Sequence, residues 1–342
     1  MSELKILLSR TDSIGDVILT LPMAGLIKAK YPHCKVVFLG KAYTKEVISC
    51  SQYVDQFMDW DSIQKLDYQG QVNVFKAENI DVFIHVFPNA KIAKLAFKAG
   101  IKIRIGTAHR VFHHIYCNTR HTFSRKKSEL HEAQLNIKLL KSLNIYHDND
   151  AQNLQQYYGF NQIAPLENHW NSLLLKGSAN IILHPKSKGS AREWGLNNFK
   201  ILIELCLAKG IRIFLTGTEE EGQLFRDELV INHPNLIDLS GKMSLAQLIS
   251  FIAKADALVA ASTGPLHIAA ATGTLAIGIF PPIKPMHPGR WAPIGLKTKV
   301  FVLDKPKCSE CRNGESCVCM QKIDAEEVAK SIFLDLYLLI KA

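Results

Sequence analysis

No apolar run among these 342 residues reaches the roughly 18 needed to cross a bilayer as a helix. The chain enters a strand-like segment almost at once, with no basic stretch leading into a cleavage site, so a cytoplasmic location is the expectation. Missing too are G-x-G-x-x-G, G-x4-G-K-[ST] and H-E-x-x-H, and with them the main support for dinucleotide, P-loop and zincin chemistry. His131-Glu132 lacks the second histidine of the last motif. Paired C-x2-C knuckles are also missing. Cys308, Cys311, Cys317 and Cys319 cluster as C-x2-C-x5-C-x-C, which departs from the spacing of well-attested zinc folds. That favours a reduced, loop-ordering cluster over zinc. Cys34, Cys50, Cys117 and Cys206 are scattered and read as small core residues.

The most pronounced deficit is of acids. Between Val82 and Ser128 there is no Asp or Glu, while Lys91, Lys94, Lys98, Lys102, Arg104, Arg110, Arg120, Arg125, Lys126 and Lys127 lie there. The net charge of +10 is carried entirely by this window. Such a field draws a polyanion: nucleic acid, an anionic membrane face, or a phosphorylated or carboxylated substrate. Base stacking needs interleaved aromatics. Phe97, Phe112, Tyr116 and Phe123 are few and irregularly spaced, which speaks against a nucleic-acid partner.

What is present is a repeated strand-then-helix rhythm. Apolar runs at Ile6–Ser9, Lys35–Leu39, Val82–Val86 and Lys102–Ile105 read as strands. Asp16–Ala29, Tyr43–Ser49, Ala90–Ala99 and Glu129–Leu143 read as helices. An Asn- and Gln-rich stretch from Asp148 to Lys176 reads as a linker. A second set follows: strands at Asn180–His184, Arg212–Thr216, Leu236–Leu239, Ala257–Ala260 and Leu275–Phe280, and helices at Phe199–Ala208, Glu219–Val230, Leu245–Lys254 and Pro265–Ala271. Asp324 caps a last helix running to Ile340. The expectation is an α/β chain of two similar domains with parallel sheets and a ligand cleft between them. Residues 1–165 and 166–323 form the domains, and 324–342 a helix able to pack back on the first.

Four loops stand where strands end. After the first strand comes Arg10-Thr-Asp-Ser-Ile-Gly-Asp16. Asp16 is either a carboxylate at an active-site crevice or a helix-dipole partner, with Asp12 or Ser13 as the cap. His184-Pro-Lys-Ser-Lys-Gly-Ser-Ala-Arg-Glu-Trp194 offers Ser187 and Ser190 hydroxyls and the charges of Lys186, Lys188 and Arg192 to phosphate oxygens. Ser262-Thr-Gly-Pro-Leu-His267 opens a helix whose N-terminal N–H groups suit an anion. Together the His184–Trp194 and Ser262–His267 loops are expected to form a diphosphate pocket. Between them, Thr216-Gly-Thr-Glu-Glu-Glu221 ends a strand, where an acid can hold ribose hydroxyls or simply complement the helix dipole.

These blocks, with Cys319–Val328, resemble in order and spacing the ADP-heptose:lipopolysaccharide heptosyltransferases, glycosyltransferase family 9, over Lys5 to about Val328. The resemblance implies a GT-B fold of two Rossmann-like domains facing across a cleft, the acceptor on the first and the nucleotide-sugar on the second. It also implies inverting transfer of a sugar, heptose from ADP-heptose, that needs neither metal nor cofactor. It makes Asp16 the catalytic base, beside Gly15, and sets Ser187, Lys188, Arg192, Glu221, Ser262, Thr263, Gly264, Pro265 and His267 around the donor. Arg192 stands where the family usually has lysine, and Ser262 where it commonly has aspartate. The basic window, through Arg104, Arg110 and Arg120, then suits an anionic lipid-linked saccharide of the lipopolysaccharide core, met at the cytoplasmic face of the inner membrane. The competing readings are a transferase of the same family using another nucleotide-sugar or glycan, and a non-catalytic polyanion-binding protein.

Overall fold

A computed structural model describes residues 4–125, 127–147, 150–305, 308 and 317–341, with no side chains described beyond Tyr337. It divides into two units, Met1–Gln162 and Ile163–Ala342. The first contains β1 (Lys5–Ser9), β2 (Lys35–Gly40), β3 (Gln56–Asp59), β4 (Val82–His85), β5 (Ile103–Thr107) and β6 (Thr119–His121). The second contains β7 (Asn180–His184), β8 (Arg212–Leu215), β9 (Leu236–Asp238), β10 (Ala257–Ala261), β11 (Leu275–Phe280) and β12 (Thr298–Val302).

The strand order is β3-β2-β1-β4-β5-β6 in one sheet and β12-β11-β10-β7-β8-β9 in the other. Every neighbouring pair is parallel. Numbered within its own unit, each sheet therefore has the order 3-2-1-4-5-6, in which ligands bind past the strand ends at the point where the winding reverses. That point lies between β1 and β4, where Ser9 is paired with His85. In the second unit it lies between β7 and β10, where His184 is paired with Ala260. The loops singled out from sequence, Arg10–Asp16, Pro185–Trp194 and Ser262–His267, leave β1, β7 and β10.

The central strands form because continuous aliphatic runs can be covered by helices on both faces. Asn180–His184, Ala257–Ala261 and Leu275–Phe280 are buried throughout. In the first unit Leu7, Val37, Leu39 and Phe83 pack with Phe75, Ile92 and Leu95.

Several helices depart from the sequence expectation. The helix expected over Asp16–Ala29 is two, Ile14–Ile18 and Leu21–Lys30. Pro22 has no N–H for the Ile18 carbonyl and so sits in the first turn of a new helix. The helix expected from Glu129 begins at Glu132, because the His131 ring accepts from Ala133 N and Gln134 Oε1 accepts from His131 N, 2.8 Å. It tightens into 3₁₀ geometry over Lys138–Leu143. Glu219–Val230 is likewise two short helices, Glu219–Gln223 and Arg226–Leu229. The stretch read as a linker contains a 3₁₀ segment, Gln152–Tyr157, and a short helix, Asn168–Asn171.

The closing helix, Ala325–Lys341, is built into the second unit. Ala325, Val328, Ala329 and Ile332 join the core that holds Phe199, Leu202 and Cys206 of the Leu196–Leu207 helix. Asp324 Oδ1 accepts from Glu326 N at 2.9 Å, so it caps as expected.

Candidate active site

At the end of β1 the chain turns through Arg10, whose side chain is 4% exposed. A buried guanidinium must be paired, and this one is paired on every side. Nε donates to Asp12 Oδ1 at 2.7 Å, Nη1 to Glu132 Oε1 at 3.1 Å, and Nη2 to Asp16 Oδ1. Ser13 is the N-cap of the first-turn helix, yet its hydroxyl does not cap; it donates to Asp16 Oδ2. Both oxygens of Asp16 are thus held, while its side chain keeps 17% exposure. The side-chain cap expected of Asp12 or Ser13 is not made, while Asp16 does lie in the first turn of the helix, where a carboxylate also complements the dipole.

Behind this pair, Glu132 is 1% exposed and also accepts from Arg125 Nη1. Arg125 Nη2 reaches the Val86 carbonyl past β4 at 3.1 Å. Tyr43 Oη donates to the Asp12 carbonyl at 2.7 Å. Burial alone would depress the Arg10 pKa, but Asp16, Asp12 and Glu132 together hold it above the ordinary value. Burial pushes the Asp12 carboxyl up to about 6; Arg10 opposes this and the charge of Asp16 adds to it. Sequence reading missed Arg10 and Glu132. The signal for Arg10 was a charged residue directly abutting a buried strand. Glu132 was visible only as half of an incomplete zinc motif.

Gly15 is buried in the same short helix as Asp16. The other candidates from the basic window lie on β5, on β6 and between them. Arg104 donates from Nε to the Tyr116 carbonyl at 2.7 Å and from Nη1 to the Ile101 carbonyl. Arg120 Nη1 donates to the Cys117 carbonyl at 2.7 Å. Arg110 is the exposed N-cap residue of the Val111–Tyr116 helix, and its side chain makes no cap bond. Lys126 lies outside the described residues.

In the second unit a cavity of about 650 Å³ brings together Ser187, Lys188, Arg192 and Glu221, with Lys186, Glu193, Glu220 and Gln321. Part of its lining is a turn in which Lys188 (φ 47°) and Gly189 (φ 77°) both have positive φ. For lysine that conformation is disfavoured, and such residues gather at ligand sites. Glu193 braces the turn, taking Lys186 Nζ at 2.6 Å and Ser187 N at 3.1 Å. Sequence reading assigned Glu193 no role. The Ser187 hydroxyl donates to the Ala191 carbonyl at 2.9 Å. Glu221 is committed locally as well: Oε2 accepts from Thr218 N at 2.8 Å in a reciprocal cap. Beneath it, burial lowers the pKa of His184, with Glu221 opposing, and His184 Nδ1 lies 3.1 Å from Thr216 Oγ1. The Thr218 hydroxyl first, then the backbone and the charge of Lys188, lower the pKa of Glu220, which also lines this cavity.

Ser262, Thr263, Gly264, Pro265 and His267 follow the adjacent strand β10 and do not line that cavity. Thr263 is the N-cap of the Gly264–Thr272 helix, 5% exposed, and makes no side-chain cap bond. Its Oγ1 has no partner among the described residues. A buried hydroxyl left unpaired at a helix N-terminus is costly unless something else satisfies it, and helix N-termini suit anions. His267 is buried one turn on.

Cys308, Cys317 and Cys319 are buried in the second unit's core, with the Cys308 and Cys319 sulfurs 3.7 Å apart. Cys311 lies outside the described residues. Burial and the neighbouring Cys308 push the Cys319 thiol up to about 11.

Two sheets of order 3-2-1-4-5-6, one with a held carboxylate at its switch point and the other with anion-type loops, define a twin Rossmann-like α/β protein of the GT-B class. The comparisons agree. The profile of glycosyltransferase family 9 (heptosyltransferase) matches residues 73–320. A Haemophilus influenzae protein named "Putative glycosyltransferase" is 30% identical over 330 residues, 94% of this chain and 95% of the relative. Among solved structures, a family 9 glycosyltransferase from Veillonella parvula superposes with a TM-score of 0.78 at 18% identity, covering 100% of this chain and 99% of that one. The ADP-heptose lipopolysaccharide heptosyltransferase II of Escherichia coli gives 0.75 at 16% identity, covering 100% of each chain. The chain belongs to glycosyltransferase family 9 and is a glycosyltransferase.

Proposed function

We propose that this glycosyltransferase moves a heptosyl group from ADP-heptose to a hydroxyl of an anionic, lipid-linked saccharide of the lipopolysaccharide core, with inversion, at the cytoplasmic face of the inner membrane. The observation that carries this reading is Asp16, a partly exposed carboxylate whose two oxygens are oriented by Arg10 and Ser13 at the first switch point. In the reaction the acceptor oxygen bonds to the anomeric carbon while the bond from that carbon to the phosphate oxygen breaks. Asp16 takes the hydroxyl proton, and ADP leaves with the electron pair. A general base needs an oriented carboxylate within reach of that proton.

The second unit supplies the donor grip in this reading. Lys188, Arg192, the Thr263 hydroxyl and the N-terminus of the Gly264–Thr272 helix answer the diphosphate's charge, with His267 in the first turns of that helix. Ser187, Glu221 and Ser262 complete the donor set. On the acceptor side, Gly15 lets the substrate approach the base, and Arg104, Arg110 and Arg120 attract its phosphates. Arg104 and Arg120 spend part of their hydrogen-bonding capacity on backbone carbonyls, so their share is mainly charge.

Another donor sugar is the second reading, favoured by Ser262, a neutral residue at a position where the family commonly carries an acid. Calorimetric titration with ADP, UDP and GDP tests the donor: the reading expects ADP to bind tightest, and a preference for UDP would refute the ADP-heptose assignment.

A further inference from the structure

Beyond the buried strand β4, the acid-free window forms a flank of the first unit whose chemistry is unlike a solvated basic face. Two helices build it, Ala90–Lys98 and Val111–Tyr116. On the second, Val111 is 80% exposed and Ile115 62%; one turn apart, they share a side of the helix. On the first, Phe97 is 43% exposed, and its ring meets that of Tyr116 at 5.8 Å, joining the two helices. Lys94, Lys98 and Lys102 are exposed along the same segment, and no acid occurs from Val82 to Ser128.

Single exposed apolar residues are ordinary on soluble proteins. Three large ones on two packed helices, in a stretch whose only charges are cationic, fit an interfacial surface. There the apolar side chains enter the acyl boundary while the cations meet anionic headgroups. We propose that this flank docks on an anionic lipid bilayer. The choice of occupant follows from Val111 and Ile115. Aliphatic side chains gain by leaving water for acyl chains, whereas a single-stranded nucleic acid would call for aromatic platforms in their place.

Docking follows from the flank alone. The lipid-linked acceptor of the proposed function supplies its purpose, and in that respect the inference rests on that reading. The test is co-sedimentation of the full chain, without donor or acceptor, with vesicles of phosphatidylcholine or of phosphatidylcholine mixed with phosphatidylglycerol. Binding is expected on the anionic vesicles only, and it should weaken on adding salt, which screens the attraction. The double variant Val111→Ser/Ile115→Ser should lose about tenfold in partitioning, with an unchanged thermal melt and unchanged transfer to a short acceptor lacking lipid. Three results would overturn the proposal: no binding to anionic vesicles, equal binding to both kinds, or wild-type binding by a folded double variant. A wild-type chain that binds a single-stranded oligonucleotide but not vesicles would overturn it too. If Asp16→Asn transfers normally, the reading of the reaction fails while docking stands.

Discussion

Glu132 Oε1 lies 3.1 Å from Arg10 Nη1, and the other terminal nitrogen of the same guanidinium holds Asp16. The two residues are 122 positions apart in the chain, and Glu132 is thereby a positioning residue for the carboxylate at the candidate site. Removing one partner of a buried ion pair leaves an uncompensated charge, at a cost of about 3–5 kcal/mol. Glu132→Gln keeps the shape and one acceptor, so it should cost less, about 2 kcal/mol by urea denaturation. The same variant should lower kcat about tenfold with the donor KM little changed, because orientation of the base is impaired and the donor grip is not. Wild-type kcat in the variant would show that Asp16 needs no bracing.

Thr263→Val separates a functional hydroxyl from a structural one. The Oγ1 it removes has no partner among the described residues, so stability should hold or rise slightly. ADP affinity should fall about tenfold, the worth of one hydrogen bond to a charged group. Calorimetry and a melt on the same sample check both; a destabilised variant with unchanged ADP binding would contradict the assignment.

Acid should weaken the first unit. His85 is fully buried, neither of its ring nitrogens has a hydrogen-bond partner among the described residues, and its ring centroid lies 5.4 Å from that of buried His113. Burial lowers both pKa values below 6.5. Below pH 6.5 the unfolded chain takes up protons that the folded chain refuses. The stability these histidines contribute is therefore full above 6.5 and is lost as pH falls towards their folded values. Asp12, pushed up to about 6, works the other way below pH 6, against His85, His113 and also His121, whose pKa is lowered by burial in the same unit. Unfolding free energy should thus fall between pH 7 and pH 5. His85→Leu, close in volume and without the orphaned nitrogens, should flatten that fall at little cost at pH 7. An unaltered slope would place the acid sensitivity elsewhere.

Gly25 sets how closely the helix after the site can approach the Gln152–Tyr157 segment. A Cβ there would lie 2.2 Å from the Tyr157 carbonyl oxygen and 2.8 Å from its Cα. Alanine gains about 1 kcal/mol in helix propensity, yet backbone cannot yield as a side-chain tip does. Gly25→Ala should destabilise by about 2 kcal/mol net, measured by chemical denaturation.

Most of the sheet was legible because central parallel strands are unbroken aliphatic runs; β1, β7, β10 and β11 stand out on that ground alone. The strands that escaped notice, β3, β6 and β12, are all sheet edges. Gln56–Asp59 is half polar, Thr119–His121 wholly polar, and Thr298–Val302 opens on two polar residues and is nowhere fully buried, so none carries the longer apolar run of a central strand. The Tyr68–Ala77 helix was hidden by polar residues, although Asp67 caps it through Gly70 N at 2.7 Å. At the site, local motifs picked out Asp16, the turn around Lys188 and the Thr263 loop, since each is a strand end followed by a helix start. Arg10–Glu132 was beyond reach because pairing between distant segments leaves no local pattern.

The central claim is tested most directly by Asp16→Asn, assayed with ADP-heptose and a lipopolysaccharide-core acceptor alongside calorimetry with ADP. Loss of a general base costs about 10²–10⁴-fold in rate. The account predicts a fall of that size in transfer with ADP affinity unchanged, since the donor grip belongs to the second unit. Turnover within about twofold of wild type by the folded variant would contradict it.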